Sequence, residues 1–217
     1  MPQISASVLN ADFAKWKKWL AELEAARIDR IHWDVMDNKY VPNTGIDEES
    51  IKKLRPRTKK LFETHLMVVD PENHIQKIAD YGNELAIFHI ETVRQPEKII
   101  RQIRDAGMKT GICVNNRTDA RVVLPFLGKA DLCLVMGVEA GFGGQEFNPA
   151  ALGKIKLIRQ HIDKNKLGCK IEVDGGINPQ TGALCTQAGC DILVAGTFIF
   201  RHPKGIGQAV KEFRDGK

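Results

Sequence analysis

No stretch of this sequence is long and apolar enough to span a bilayer. Its first residues, Met1-Pro2-Gln3-Ile4-Ser5, hold neither a basic segment leading into an apolar run nor a small-residue cleavage site. A cytoplasmic protein without a membrane partner is therefore expected. The five cysteines, Cys113, Cys133, Cys169, Cys185 and Cys190, include no C-x-x-C pair. An odd count without a secretion signal argues against a disulfide framework and for reduced thiols buried in strands and helices. Charge is not lopsided either: 32 basic against 27 acidic residues leave +5. The basic stretch Lys52-Lys53, Arg55, Arg57 and Lys59-Lys60 has no interleaved aromatics and no nucleic-acid motif, so it reads as a solvated helix face, and no nucleic-acid partner is expected. Linkers and low-complexity tracts are missing too. With 217 residues, enough for a large core but short for two domains, residues 1–217 are expected to form a single catalytic domain.

Short apolar runs alternate with helical patterns along the whole chain. Strands are predicted near Gln3–Leu9, Arg30–Met36, Leu61–Val68, Leu85–His89, Lys109–Val114, Leu132–Val138, Lys170–Asp174 and Ile192–Ala195. Helices are predicted near Ala11–Ala26, Glu48–Leu54, Pro71–Tyr81, Pro96–Ala106, Thr118–Leu127, Pro149–Asp163, Pro179–Ala188 and Lys204–Arg214. Asp70-Pro71 and Asn178-Pro179 place a capping side chain before a proline at the first helical position, and Gly82, Gly107 and Gly189 sit where helices should end. Eight strands and eight helices allow a closed parallel barrel or an open doubly wound sheet. The count favours the barrel. Ser7-Val8-Leu9-Asn10-Ala11-Asp12, after the first strand, lacks the glycines of a dinucleotide fingerprint, which weakens the open sheet. The expected fold is a single-domain TIM (β/α)8 barrel with its active site at the C-terminal rim.

Asp34 closes the second strand and Asp174 the seventh, each where the chain turns toward a helix. Around a closed ring of eight these strands lie three steps apart, so the two carboxylates should face one another across the mouth. Opposed carboxylates are what removing a proton from one face of a substrate and returning it to the other requires. Alternation puts His32, Asp34 and Met36 on one face of the second strand, and His65 with Met67 on one face of the third. His32, Asp34, His65 and Asp174 thus form a candidate site for one divalent ion, with zinc favoured and manganese, iron or cobalt also suited. A second constellation is glycine-rich: Gly141-Phe142-Gly143-Gly144-Gln145 after the sixth strand, Gly175-Gly176 after the seventh, and Gly196-Thr197 after the eighth. Backbone amides in such loops cradle phosphate in barrels of this kind. Met36, Met67 and Met136 end inward-facing strand positions, as core or as an apolar cap over the reacting group.

Ile4-Ser5-Ala6-Ser7-Val8-Leu9-Asn10-Ala11-Asp12-Phe13, His32-Trp33-Asp34-Val35-Met36-Asp37, Val41-Pro42-Asn43, His65-Leu66-Met67-Val68, Gly141-Phe142-Gly143-Gly144-Gln145, Val173-Asp174-Gly175-Gly176-Ile177 and Ala195-Gly196-Thr197 resemble, in order, the ribulose-phosphate 3-epimerase family. The resemblance covers nearly the whole chain. It implies a metal-dependent isomerase of the pentose phosphate pathway that interconverts ribulose 5-phosphate and xylulose 5-phosphate through a metal-stabilised enediolate. Asp34 and Asp174 would be the acid–base pair, and with His32 and His65 the metal ligands. Ser7, His65, Gly143, Gly144, Gln145, Gly175, Gly176, Gly196 and Thr197 would contact substrate, and Met36, Met67 and Met136 would cap the site. A homo-oligomer is also implied. An epimerase of a related ketose phosphate, such as a hexulose 6-phosphate, is the alternative within enzymes, and a non-catalytic sugar-phosphate-binding relative the alternative outside them. The sequence departs from the pattern at Ala6, at Asn38, at Ala140 after Glu139, and in Asn115-Asn116-Arg117-Thr118. Asn38 is expected to keep a glycine-like turn, whereas Glu139 sets an anion beside the phosphate rim.

Overall fold

The structure, a computed structural model, describes residues 1–215. Eight short runs rich in β-branched and aliphatic residues form β1 (Gln3–Ser7), β2 (Arg30–Met36), β3 (Leu61–Met67), β4 (Leu85–His89), β5 (Lys109–Val114), β6 (Leu132–Met136), β7 (Lys170–Asp174) and β8 (Ile192–Ala195). Each pairs in parallel with the next, and β8 pairs back onto β1 with Ala195 opposite Ala6, closing the barrel. All seven residues of β2 are buried, because a parallel barrel covers both faces of its strands. Alternation then divides them. Ile31, Trp33 and Val35 join the large apolar layer between strands and helices, while Met36 joins a smaller cluster inside the barrel with Met67, Leu85, Ile87, Leu132, Leu134, Met136 and Ile192.

The outer ring comprises α1 (Trp16–Ala25), α2 (Glu49–Leu54), α3 (Glu72–Asp80), α4 (Pro96–Asp105), α5 (Ala150–Asn165), α6 (Pro179–Gln187), α7 (Thr197–Phe200) and α8 (Gly205–Asp215). One expected helix does not form. Thr118–Leu127 holds only two 3-10 turns, Ala120–Val122 and Leu124–Phe126, because Pro125 lacks an amide hydrogen and crowds the preceding turn, and Val122-Val123 adds β-branched stiffness. The segment still buries Ala120, Val123 and Leu127 in the large apolar layer. The first strand also ends earlier than expected. Val8–Asn10 turns as a 3-10 segment, a second spans Phe13–Lys15, and α1 begins only at Trp16. Asp70 does not cap α3: Pro71 holds the cap position without a side-chain bond, so the helix starts one residue later. Asn178 does cap α6, in a reciprocal box with Thr181. The short α7, after β8, is an element that the hydrophobic pattern does not predict.

The five cysteines are free and buried, as expected. Among the described residues no helix is long and apolar enough to cross a membrane. Asn38 adopts φ +55°, so the glycine-like turn survives without glycine. Two other departures meet in space: Arg117 lies 3.4 Å from Glu139, so the rim anion has a cation beside it, although both side chains are largely exposed and such a pair adds little stability.

Candidate active site

The C-terminal mouth of the barrel opens into a cavity of about 430 Å³. Ser7, Asp34 and Asp174 line it together with Met36, Met67 and Met136, and so do Gly143, Gly144, Gln145, Gly175, Gly176, Gly196 and Thr197. His32 and His65 lie under its floor, fully buried. Inward-facing positions on β2, β3 and β7 bring one ligand atom each from His32, Asp34, His65 and Asp174 within 4.8 Å of one another. His32 Nε2 is 3.4 Å and His65 Nδ1 3.3 Å from Asp34 Oδ1. The same two nitrogens stand 3.9 and 3.8 Å from Asp174 Oδ2. None of these contacts closes a hydrogen bond: His32 Nε2, Asp34 Oδ1 and His65 Nδ1 are buried with no hydrogen-bond partner among the described residues. Three orphaned polar atoms aimed at one point, with Asp174 beside them, fit a cation.

Beneath this group lies a charged layer inside the barrel. Arg30 Nη1 donates to Glu63 Oε2 at 2.8 Å, Ser5 donates to Glu63 Oε1, and Arg30 also donates to Gln3 Oε1 at 2.8 Å. His32 Nδ1 is 3.1 Å from Glu63 Oε1 and 3.5 Å from Glu172 Oε1. A carboxylate on the far ring nitrogen leaves Nε2 with its lone pair for a metal. Arg30 Nη1 thus faces the carboxyls of Glu63 and, at 3.9 Å, Glu172, while Asp34 and Asp174 face the two imidazoles above. Two other groupings could geometrically hold an ion, His32-Glu63-Glu172 and His65-His89-Cys113. In the first, Arg30 already supplies the positive charge. In the second, the two imidazoles are bonded to each other through their Nε2 atoms at 2.8 Å, and burial pushes the Cys113 thiol well above its usual range. The group at the cavity floor is the better site.

Arg30→Met should destabilise the protein by about 3–5 kcal/mol, because it strands the Glu63 carboxylate in a low dielectric. Urea unfolding measures this directly, and a loss below about 1 kcal/mol would show that the layer is not held by the ion pair.

The surroundings push the two aspartates in opposite directions. Burial, and then the neighbouring Asp34 charge, push Asp174 up to about 7. Burial acts the same way on Asp34, but His32 and His65 overcome it and hold that carboxyl well below the usual range. Ser7 Oγ also donates to Asp34 Oδ2 at 2.7 Å. Burial lowers His65 to about 4, so its ring is neutral near pH 7.

In the glycine loops, the amide groups of Gly143, Gly144 and Gly176 donate to no acceptor among the described residues. Gly176 sits at φ +68°, and a Cβ there would fall 2.5 Å from the Phe147 nitrogen. Asn10 Nδ2 donates to Thr197 Oγ1 at 3.1 Å, fixing that hydroxyl beside the loops. Gln145, expected at the substrate, spends its side-chain amide on Glu139 O and Phe142 O and so braces its own loop. Asn43 ties the same loop to the one after β2 through Gly141 O, at 2.8 Å. Asn10, and the chain His89, Glu91, Tyr40 and Asn115 behind His65, join the site without having been expected there. A histidine closing β4 with a glutamate two residues on is the one signal the sequence offers for them.

Fold and cavity together define a (β/α)8-barrel enzyme with acid–base groups at its C-terminal mouth. Its particular kind follows from comparison with known proteins: residues 3–200 match the ribulose-phosphate 3 epimerase family, and the chain belongs to that family. It is 36% identical over 216 residues to the ribulose-phosphate 3-epimerase of Synechocystis sp., covering 99% of this chain and 94% of that protein. It is 38% identical to the ribulose-phosphate 3-epimerase of Schizosaccharomyces pombe, covering 98% and 92%. As a member of this family the protein is an isomerase. The barrel also superposes on the crystal structure of KGPDC from Streptococcus mutans, with a TM-score of 0.75, 13% identity and coverage of 100% and 97%. That likeness shows the fold.

Proposed function

We propose that the protein interconverts D-ribulose 5-phosphate and D-xylulose 5-phosphate by passing a proton across C3 between Asp34 and Asp174, at a site where His32, Asp34, His65 and Asp174 hold one divalent ion. The observation that carries this reading is the pair of carboxyls, from β2 and β7, that converge with two buried imidazoles at the cavity floor and are pushed in opposite directions by their surroundings. Asp34, ionised, takes the C3 hydrogen as a proton from one face. Asp174, protonated, gives its own proton to the other face. After one turnover the two have exchanged roles, which is what the reverse reaction needs. A bound divalent ion would supply Lewis-acid stabilisation of the negative charge that develops on the substrate oxygens, and the nitrogen and carboxylate donors suit zinc as well as manganese, iron or cobalt. Ser7 holds Asp34 in its orientation. Met36, Met67 and Met136 wall the site with side chains that cannot exchange protons.

The loops after β6, β7 and β8 would take the phosphate through the free amides of Gly143, Gly144 and Gly176 and through Thr197. Gly143→Ala tests them with little threat to the fold, since the new Cβ would fall 2.4 Å from Asn10 Nδ2, the end of a side chain that can move. It should displace Asn10 from Thr197 and raise KM roughly tenfold, about 1.4 kcal/mol, with a smaller change in kcat. An unchanged KM would place the phosphate elsewhere. The reading as a whole is tested by a panel of ribulose 5-phosphate, xylulose 5-phosphate, unphosphorylated ribulose and hexulose 6-phosphates. Turnover should be confined to the pentulose phosphates, and preference for a hexulose phosphate would reassign the substrate.

A further inference from the structure

Behind His65, away from the cavity, a line of polar groups runs outward between β3, β4 and β5. His65 Nε2 lies 2.8 Å from His89 Nε2, with the rings stacked at 18°. His89 Nδ1 is 2.9 Å from the Tyr40 hydroxyl and 3.3 Å from Glu91 Oε2. Glu91 Oε1 accepts from the Asn115 amide at 2.7 Å, and Asn115 Nδ2 donates to Tyr40 at 3.2 Å. Both imidazoles are fully buried. One hydrogen must lie between two facing ring nitrogens, so two proton arrangements fit these distances. In one, His65 carries its hydrogen on Nε2, His89 accepts it and carries its own on Nδ1. In the other, His89 donates from Nε2 and the His65 hydrogen sits on Nδ1, the atom that points at the site.

Only the first arrangement leaves His65 Nδ1 with a lone pair. Two carboxylates flank the pair: Asp34 Oδ1 stands 3.3 Å from His65 Nδ1 without closing a hydrogen bond, whereas Glu91 Oε2, 3.3 Å from His89 Nδ1, does close one, so the group that sets the direction is Glu91. Its carboxylate can only accept, so it favours a hydrogen on His89 Nδ1, whereas Tyr40 can accept or donate and favours neither. Burial would raise Glu91, but hydrogen bonds from His89, Thr118 and the Asn115 amide outweigh it and hold the group at about 2, so it stays ionised.

We infer that Glu91, acting through His89, is a positioning residue that sets the tautomer of His65 and so makes its Nδ1 available as a metal ligand. This rests on the metal reading proposed above. His32 has a carboxylate directly behind it; His65 has one a whole imidazole further away. Outer partners of metal-binding histidines commonly contribute about ten- to a hundredfold to affinity. The added feature here is direction: the relay has two polarities, of which one disarms the ligand.

The experiment compares wild-type protein with Glu91→Gln, His89→Leu, His89→Gln and Tyr40→Phe. In metal-free protein, ring-nitrogen NMR reads the His65 tautomer directly, and zinc affinity is read by competition with a chelator. Wild-type His65 should carry its hydrogen on Nε2. Glu91→Gln, whose amide can donate to His89 Nδ1, should populate the Nδ1–H form and weaken zinc binding by about ten- to a hundredfold. His89→Leu should weaken it similarly. His89→Gln, able to accept from His65 and donate to Glu91, should restore affinity to within a few-fold, and Tyr40→Phe should leave it unchanged. A wild-type Nδ1–H tautomer, or a Glu91→Gln variant matching wild type in tautomer and affinity, overturns the inference. If wild-type protein binds no divalent cation, the metal reading fails instead, and the tautomer comparison still decides whether Glu91 controls His65.

Discussion

Asp174→Asn is expected to lower kcat by about three orders of magnitude or more while leaving one half of the reaction running. Asp34 remains ionised and positioned by Ser7, so it can still remove the C3 hydrogen that faces it and return a proton to the same face. In deuterated water the variant should therefore wash deuterium into one epimer without inverting it. Asp34→Asn should show a loss of similar size and no such exchange from that epimer. The double variant should be scarcely slower than either single one, because each already interrupts the same two-sided path. Metal content must be measured alongside, since each substitution also removes a candidate ligand. Near-normal epimerisation by Asp174→Asn would leave Asp34 as sole base and defeat the two-carboxyl assignment.

Stripping the protein with a strong chelator should reduce turnover to background, and zinc, manganese or cobalt should restore it at about one ion per chain. The expectation follows from the electrostatics of the barrel interior. Arg30 faces only Glu63 and Glu172, which leaves Asp34 and Asp174 to the two histidines, and three polar atoms at the cavity floor have no hydrogen-bond partner among the described residues. Without a cation the protein must neutralise this group with protons: the Asp34 charge pushes His32 up against its burial, and Asp174 and Glu172 are each pushed up to about 7 chiefly by burial and then by a neighbouring carboxylate. Metal should also stabilise the fold: at a hundredfold excess over Kd the gain is about 2.7 kcal/mol, visible as a rise in Tm of several degrees. Full turnover in verified metal-free protein would remove the ion from the mechanism.

Much of this site is legible in the order of the residues alone. Asp34 and Asp174 stand out because a charged residue ending an apolar strand is conspicuous, and period-two alternation then assigns His32 and His65 to the same interior. The glycine loops are legible because three in succession fall on one rim. Other features depend on neighbours that a single strand does not reveal. Arg30, Glu63 and Glu172 sit within strands that otherwise read as apolar, and they are tolerable only because the barrel brings them together. His89 closes β4 as His65 nearly closes β3, yet its meaning lies in a 2.8 Å contact across two strands. The helix expected over Thr118–Leu127 fails for a local reason, Pro125, to which helical periodicity is blind.

The barrel is closed by a seam between its two chain ends: β1 pairs with β8, and Asn10 reaches Thr197 across 187 positions. Ser7 and Asp34 come from the first two strands made, Asp174 from the seventh and Thr197 from the short helix after the eighth. No growing chain lacking β8 can therefore own this site, however well its early strands have condensed. Contacts so remote in sequence also form late, after loop-closure entropy has been overcome. Until then the carboxyls of β2, β3 and β7 can keep their water. The arrangement of the site is thus a property of the completed circle, held by the pairing of the last strand with the first.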